Sequence, residues 1–269
     1  MEGLRRLDYA FIGGGNMGYA LAAAAVRRGV SLPGQILVSD PSGAARQRAE
    51  ALGCRTAERP APADARVIVL AVKPQQAPEA MAELSGRIGE AQVVASIMAG
   101  IRIASIQDAL RHRAVVRVMP NTPAQVGLGM HVFFADASVT AGQLASVEAL
   151  LNASGEVLRV GSEDSIDAAT AVSGSGPAYV FYLAEHWVRA AEGMGFTPQQ
   201  AAQLVSQTLR GSVELWRSTG TPPGLLREQV TSKGGTTAAA LDAMNGAGVG
   251  AAIETGVRRA YQRAKELGR

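Results

Sequence analysis

The stretch Tyr9-Ala10-Phe11-Ile12-Gly13-Gly14-Gly15-Asn16-Met17-Gly18 decides the fold. Four apolar residues read as a short strand, and the alanine-rich run after Gly18 reads as a helix that ends near Gly29. Between them lies Gly13-x-Gly15-x-x-Gly18. In such a spacing the first glycine makes the tight turn, the second lets backbone approach a pyrophosphate, and the third lets helix pack on strand. The helix N-terminus then offers amide donors and positive dipole to phosphate. A tight strand–helix turn with no ligand is the bland alternative. The placement straight after a strand and at the start of a helix favours dinucleotide binding, which assigns Gly13, Gly14, Gly15, Asn16, Met17 and Gly18 to the cofactor.

On either side of this stretch, strand and helix signals alternate. A second strand is expected over 35–39, with a helix through 44–52 that stops at Gly53. After Arg66 the strand expected over 66–72 is an unbroken apolar run, as suits a parallel strand buried on both faces. Further strands are expected over 92–97, 114–119, 131–135 and 156–160. This alternation predicts an α/β fold, a doubly wound parallel sheet of the Rossmann type. Beyond Val160 the strand signals stop. Helices are expected over 165–173, 177–194, 198–218 and 248–267, with shorter pieces near Leu225 and Ala238. Thr197-Pro198-Gln199-Gln200 places an N-cap threonine, an N1 proline and a capping-box glutamine in order. Gly193-Met194-Gly195 is a natural stop for the helix before it. The expected organisation is a Rossmann domain over 1–161 and an all-α C-terminal domain over 162–269.

Composition narrows the function. The 269 residues suggest two domains at roughly 150 residues each. Hydrophobic residues at 47% and charged residues at 18% give enough apolar material for a core and exclude disorder. Lysine and arginine number 26 against 23 acids, a net charge of +3. The basic residues are scattered singly or in pairs, and aromatics are only 4%, so no nucleic-acid partner is expected. Cys54 is the single cysteine and forms neither an intramolecular disulfide nor a thiol metal cluster, which suits a reducing cytoplasm. His112, His131 and His186 share no ligand spacing, so no metal is expected. Residues 1–8 lack the apolar region of a signal peptide, and the apolar run 19–26 is too short to span a bilayer. A soluble cytoplasmic protein with no membrane partner is expected.

Other loops carry polar chemistry. Asp40 lies 22 positions beyond Gly18, close to the roughly 20 expected of an acid that holds a ribose hydroxyl. Ser39, Ser42 and Arg46 surround it and suit a 2′-phosphate, while Asp40 also suits an N-cap of the next helix. Spacing leaves these readings open. Ala71, Val72, Lys73 and Pro74 follow the buried 66–72 strand, Ala99 and Gly100 follow another, and Asn121 stands between prolines after a third. All three loops belong at the carboxyl ends of strands, where doubly wound sheets bind ligands. In the helical half, Ser173-Gly174-Ser175-Gly176-Pro177-Ala178-Tyr179 opens a long helix. Thr231-Ser232-Lys233-Gly234-Gly235-Thr236-Thr237 opens another, where free amides and hydroxyls suit a carboxylate; plain threonine capping is the alternative. No nucleophilic triad or metalloprotease motif appears, and Lys233 is the lone candidate for a general acid in the cleft loops of this half. A carbonyl reductase would need such an acid. An imine, protonated in solution, is already an electrophile and needs only to be held near a nicotinamide.

Together, the glycine loop, Ala71-Val72-Lys73-Pro74, Ala99-Gly100-Ile101, Met119-Pro120-Asn121-Thr122-Pro123, the loop from Ser173 to Tyr179 and the block from Pro223 to Met244 resemble pyrroline-5-carboxylate reductase. The resemblance runs in order along nearly the whole chain, and the block with Pro223-Gly224-Leu225-Leu226, Thr231-Ser232 and Gly234-Gly235-Thr236-Thr237 is highly specific. It implies NADPH-dependent reduction of 1-pyrroline-5-carboxylate to L-proline, with NADH as the alternative donor. It further implies that Ser232, Gly235 and Thr236 hold the substrate carboxylate, that Thr237 is the catalytic hydroxyl beside the ring nitrogen, and that Glu163 faces the substrate. The cofactor is implied to lie against the glycine loop, Ser39 and 71–74. The helical domain is implied to pair with a second subunit as a homodimer, from which decamers are built.

The sequence departs from that pattern in places. Lys233 stands where proline is usual, Gln229 where asparagine is common, and Gly220-Thr221-Pro222 replaces a more polar run. Asp40 occupies a position held by serine in some NADPH-preferring relatives. A β-hydroxyacid dehydrogenase of similar build would need lysine at Val180 and asparagine at Leu183. A non-catalytic dinucleotide sensor would not need the polar loop at 231–237.

Overall fold

Every residue of the first strand, β1 (Tyr9–Ile12), is buried, which requires packed layers on both faces of the sheet it belongs to. The computed structural model describes residues 7–62 and 64–268. The remaining strands are β2 (Ile36–Ser39), β3 (Arg55–Ala57), β4 (Val67–Leu70), β5 (Val93–Ser96), β6 (Val115–Met119), β7 (Gly129–Ala135) and β8 (Gly155–Arg159). They form one sheet in the order β3-β2-β1-β4-β5-β6-β7-β8. Strands β3 to β6 of that order run parallel, with Tyr9 paired to Ile36 on one side and to Val67 on the other. This is the doubly wound order, in which the chain reverses its direction of winding between β1 and β4. The expected parallel sheet needs one amendment: β7 is antiparallel to β6 and β8 is parallel to β7.

The strand period of two sends alternate residues to opposite faces. Phe11, Val67 and Val69 point to one layer, with Leu21, Ala22 and Ala25 of α1 (Asn16–Arg27) and Val147, Leu150 and Leu151 of α5 (Ala141–Asn152). Ile12, Ile68 and Leu70 point to the other, with Ala77, Met81 and Leu84 of α3 (Ala77–Leu84) and Ile103, Ile106 and Leu110 of α4 (Ile103–Leu110). Each fully buried leucine or isoleucine contributes on the order of 2 kcal/mol to this two-sided core. The helix α2 (Gly43–Ala51) follows β2 and buries only Ala45 and Ala49.

Past β8 the chain is helical: α6 (Asp164–Ala169), α7 (Gly176–Gly193), α8 (Pro198–Thr219), α9 (Pro223–Gln229), α10 (Thr236–Gly246) and α11 (Val249–Leu267). The expected helix over 165–173 is α6 followed by a π-turn, Thr170–Gly174. The expected capping box at α8 forms in full, with the Thr197 side chain accepting from Gln200 N. By packing, the chain divides into a sheet unit that runs to Ser175 and regains the chain from Ala260 onward, and a helical unit, Gly176–Arg259. Sequence placed the change at 161/162. The packing boundary falls later because α6 is tied by ion pairs to β6 of the sheet unit.

Within the helical unit burial is sparse. Ala191, Ala201 and Val205 are buried where α7 meets α8, yet Phe181, Tyr182, Val213, Trp216 and Ile253 are exposed. Apolar exposure on this scale marks an association surface. No helix among the described residues is long and apolar enough to cross a membrane.

His131 in β7 supplies a test of this core. Its ring is fully buried, and Nε2 lies 2.8 Å from the Ser154 hydroxyl, which itself donates to the Leu151 carbonyl. With that hydroxyl proton committed, Nε2–H donates and Nδ1 is left bare and unpartnered. Burial pushes the His131 pKa down from 6.5 to about 4. Between these values the unfolded chain takes up a proton that the fold refuses. Stability is therefore full above about pH 6.5 and falls as pH drops toward 4, by about 3 kcal/mol. His131→Gln keeps an N–H for Ser154 and does not titrate. Thermal melts of this variant between pH 7.5 and 4.5 should show a clearly shallower acid slope than the parent, with the remainder carried in part by buried His112.

Candidate active site

The glycine loop is built from close backbone approaches. Gly13 has φ +106°, and a Cβ there would sit 2.7 Å from the Ala71 carbonyl. A Cβ on Gly18 would sit 2.4 Å from the Gly13 carbonyl oxygen, so α1 packs directly on the end of β1. Gly15 has open space around it, with nothing within 4 Å of a built Cβ. These are the three roles expected of the spacing. Gly13 N donates to Ser39 O at 2.8 Å and Ala71 N to Ile12 O at 2.8 Å, which joins the ends of β1, β2 and β4. Gly15 caps α1 without a side chain, leaving the first-turn amides open to an anion.

Asp40, directly after β2, lies against this loop. Its Oδ2 accepts from Gly14 N at 2.7 Å and its Oδ1 accepts from Ser42 N at 2.8 Å. The N-cap of α2 is Ser42, so the capping reading of Asp40 does not hold. Arg46 Nη1 is turned back onto the Asp40 and Pro41 carbonyls at 2.8 and 3.0 Å. Ser39 is buried, and its hydroxyl accepts from Ala61 N at 3.3 Å. Arg48, which sequence reasoning missed, donates from Nη2 to the Gly14 carbonyl at 3.0 Å and stacks over Tyr19 at 5.1 Å. Its place on the exposed side of α2 gave no signal, because the fold alone brings it to the loop.

The other strand ends meet the same edge. Ala71 and Val72 are half-buried, Lys73 is exposed, and Pro74 opens a short 3-10 turn. Ala99 is exposed. Gly100 has φ +76°, and a Cβ there would approach Leu267 O to 2.9 Å. Asn121 ends β6. Its Oδ1 accepts from Met130 N at 2.8 Å and its Nδ2 donates to Ser173 O at 3.0 Å. A separate cavity of about 430 Å³, lined by Arg66, Glu90, Thr140 and Gln143, opens at the amino ends of β4 and β5, the opposite edge of the sheet.

Glu163 is committed inside the sheet unit. Its Oε1 accepts from Ile103 N, at the start of α4, at 2.8 Å and from Arg117 Nη1 at 3.1 Å. Arg117 is buried in β6 and also donates to Asp167 Oδ1 at 2.7 Å. Arg102 pairs with Asp164 at 2.8 Å and donates to Gly268 O at 3.0 Å. The expectation that Glu163 faces a substrate meets a carboxylate already held by a guanidinium and a helix N-terminus.

In the helical unit, the 231–237 loop turns through Gly234 at φ +74°. Gly235 N donates to Ser232 O at 3.0 Å, and a Cβ on Gly235 would lie 2.5 Å from Ser232 Oγ. Gly235 is the N-cap of α10 and has no side chain to offer, so the alternative of plain threonine capping is not realised. The first amides of α10 have no carbonyl one turn earlier within the helix. Ser232 and Thr236 are exposed, Thr237 is half-buried, and Lys233 is exposed. The loop thus gathers Ser232, Thr236 and Thr237 around open amides, a set that suits a small carboxylate.

Comparison with known proteins bears on both units. A family profile described as Pyrroline-5-carboxylate reductase dimerisation matches residues 163–267, and one described as NADP oxidoreductase coenzyme F420-dependent matches residues 8–100. Pyrroline-5-carboxylate reductase of Pseudomonas aeruginosa is 40% identical over 96% of this chain and 96% of its own length. The Synechocystis protein of the same name is 37% identical over 98% and 99%. Among solved structures, the Coxiella burnetii pyrroline-5-carboxylate reductase superposes with a TM-score of 0.90 at 34% identity, covering 98% of this chain and 100% of that one. The Plasmodium falciparum pyrroline carboxylate reductase, solved with NADP bound, gives 0.88 at 26% identity, covering 99% and 100%.

The Arg117 cluster carries its own expectation. Arg117→Met leaves Asp167 buried without its closest cation, at a cost of about 3–5 kcal/mol. Chemical denaturation should register that loss, and adding Asp167→Leu should restore most of it.

Proposed function

Because the chain belongs to the pyrroline-5-carboxylate reductase family, we propose that it reduces 1-pyrroline-5-carboxylate to L-proline with NAD(P)H, the last step of proline synthesis. The observation that carries the reading is the pair of helix starts capped by glycine with no side-chain bond, Gly15 at α1 and Gly235 at α10, which leaves the first amides of each helix to a ligand. Gly13, Gly14, Gly15, Asn16, Met17 and Gly18 would hold the pyrophosphate, with Ala71, Val72, Lys73, Pro74, Ala99 and Gly100 along the same edge. When bound, the reduced nicotinamide supplies the hydride that the C=N carbon accepts.

The chain's own groups have limited work. Ser232 Oγ and the Thr236 amide and hydroxyl hold the substrate carboxylate. Gly235 lets the Ser232 hydroxyl lie where a side chain would otherwise stand, and its own N–H is taken by Ser232 O. Thr237 Oγ accepts the N–H of the protonated ring nitrogen and orients the ring. The substrate arrives with that proton in place, so no acid is required of the protein and the product is a neutral amine.

At the ribose end, Asp40 sets the donor preference. A carboxylate anchored on the Gly14 amide at the end of β2 accepts from ribose hydroxyls and repels a 2′-phosphate. Arg46 is folded onto the Asp40 and Pro41 carbonyls rather than onto the carboxylate. This reading favours NADH, whereas the family resemblance alone implies NADPH. The exposed apolar faces of α7, α8 and α11 serve a homodimer, from which a decamer is built, in the cytoplasm.

The direct test is oxidation of NADH or NADPH by the purified protein with 1-pyrroline-5-carboxylate, with proline identified as product; binding of either dinucleotide without turnover would sink the assignment. Asp40→Ser should move the ratio of kcat/KM values toward NADPH by about tenfold, equivalent to about 1.4 kcal/mol. Thr237→Ala should lower kcat by about tenfold or more while the NADH dissociation constant, read by fluorescence, stays within about twofold.

A further inference from the structure

Asn121 is placed by sequence among the cofactor ligands, yet both ends of its amide are taken by backbone. Its Oδ1 accepts from Met130 N and its Nδ2 donates to Ser173 O. It stands at the N-cap of the short 3-10 turn Thr122–Val126 and makes no capping bond there. The partner it chooses explains why. Ser173 lies in the π-turn Thr170–Gly174, where Ser175 N reaches back five residues to Thr170 O at 2.8 Å. In a continuing α-helix the Ser173 carbonyl would accept from the residue four positions on. That residue is Pro177, which has no N–H. A buried or half-buried carbonyl deprived of its donor needs another, and the Asn121 amide provides it. The turn is also seated on the end of β6, since a Cβ on Gly174 would meet Met119 Cε at 2.5 Å.

We propose that Asn121 is a positioning residue that replaces the missing Pro177 N–H, latching the Thr170–Gly174 turn to the carboxyl end of β6. The proposal rests on the reductase reading for its functional consequence. In the doubly wound order, β2 lies on the ribose side of the switch point and β4 to β6 on the other, so the end of β6 borders the reactive half of a bound dinucleotide. A turn fixed there sets the wall against which that half is held. Loss of the latch therefore costs turnover more than cofactor affinity.

Three readouts test it: hydrogen exchange of the peptide spanning 170–180 in the free protein, the NADH dissociation constant, and kcat. Asn121→Ala should raise exchange in that peptide by about tenfold with the sheet strands unaltered, lower kcat by about tenfold, and leave the dissociation constant within about twofold. Asn121→Asp has the same shape and can still accept from Met130 N, but it sets a carboxylate oxygen against Ser173 O. It should fare no better than alanine. Pro177→Ala restores the absent N–H, so adding Asn121→Ala in that background should cost under about threefold in exchange and in kcat. An equal Asn121→Ala effect with and without Pro177 would overturn the latch. So would a dissociation constant that rises in step with the fall in kcat, or unchanged exchange. The exchange measurements need no turnover. A protein inactive on 1-pyrroline-5-carboxylate would sink the reductase reading and leave the latch to be judged on exchange alone.

Discussion

Three stretches of backbone come together at Gly13, Gly18 and Ala71 with no side chain between them, and the rest of the sheet unit's site depends on that contact. At built-Cβ distances of 2.4 and 2.7 Å, a methyl group at either glycine would have to push α1 off β1 or β1 off β4. Either movement displaces the amides at the start of α1, which suit a pyrophosphate. Asp40 reinforces the arrangement from the β2 side, because its charge-assisted bond to Gly14 N fixes the middle of the loop. One close contact thus positions the amides at the start of α1, and one carboxylate steadies the loop from the β2 side.

A second theme joins the polar residues away from the loop. Where regular hydrogen bonding stops, a side chain takes over. The α4 N-terminus offers Ile103 N to Glu163, the start of β7 offers Met130 N to Asn121, and the π-turn offers Ser173 O to the same residue. Arg117 then compensates Glu163 and Asp167 inside the sheet unit. Residues of this kind are polar, sit in loops at the active edge, and so resemble ligands when seen as sequence. Their geometry assigns them to the scaffold that holds the ligand-binding segments still.

What could be read from sequence was local. β1, its glycines and the capping box at Thr197 are each defined by residues within a few positions, and each appears where expected. β3 was not anticipated. It has three residues at the sheet edge, pairs only with β2, and has no buried run to announce it. The reversal of β7 was hidden because alternation of apolar residues carries no direction. For Asp40, Ser39, Asn121 and Glu163 the residue types were noticed, but the direction of each side chain is fixed by a partner 22 to 60 positions away. No window of sequence contains that information. The division at Ser175 was likewise set by tertiary ion pairs to α6, after its strand signals had ended.

The sparse chemistry of the 231–237 loop gives these structural residues more weight than they would have elsewhere. A reductase of carbonyls needs a placed acid, and mutations near such an acid act through its pKa. A protonated imine brings its own proton, so the protein's share of catalysis reduces to distance and angle between two bound partners. In the proposed site, Ser232, Thr236 and Thr237 offer hydroxyls without a charge that must be tuned, and Lys233 is exposed. Rate in such a site is governed by how firmly the binding segments are held. A side chain that only replaces a lost backbone hydrogen bond can then influence turnover without touching either ligand, and the end of β6, where Asn121 meets the π-turn, is where this chain places one.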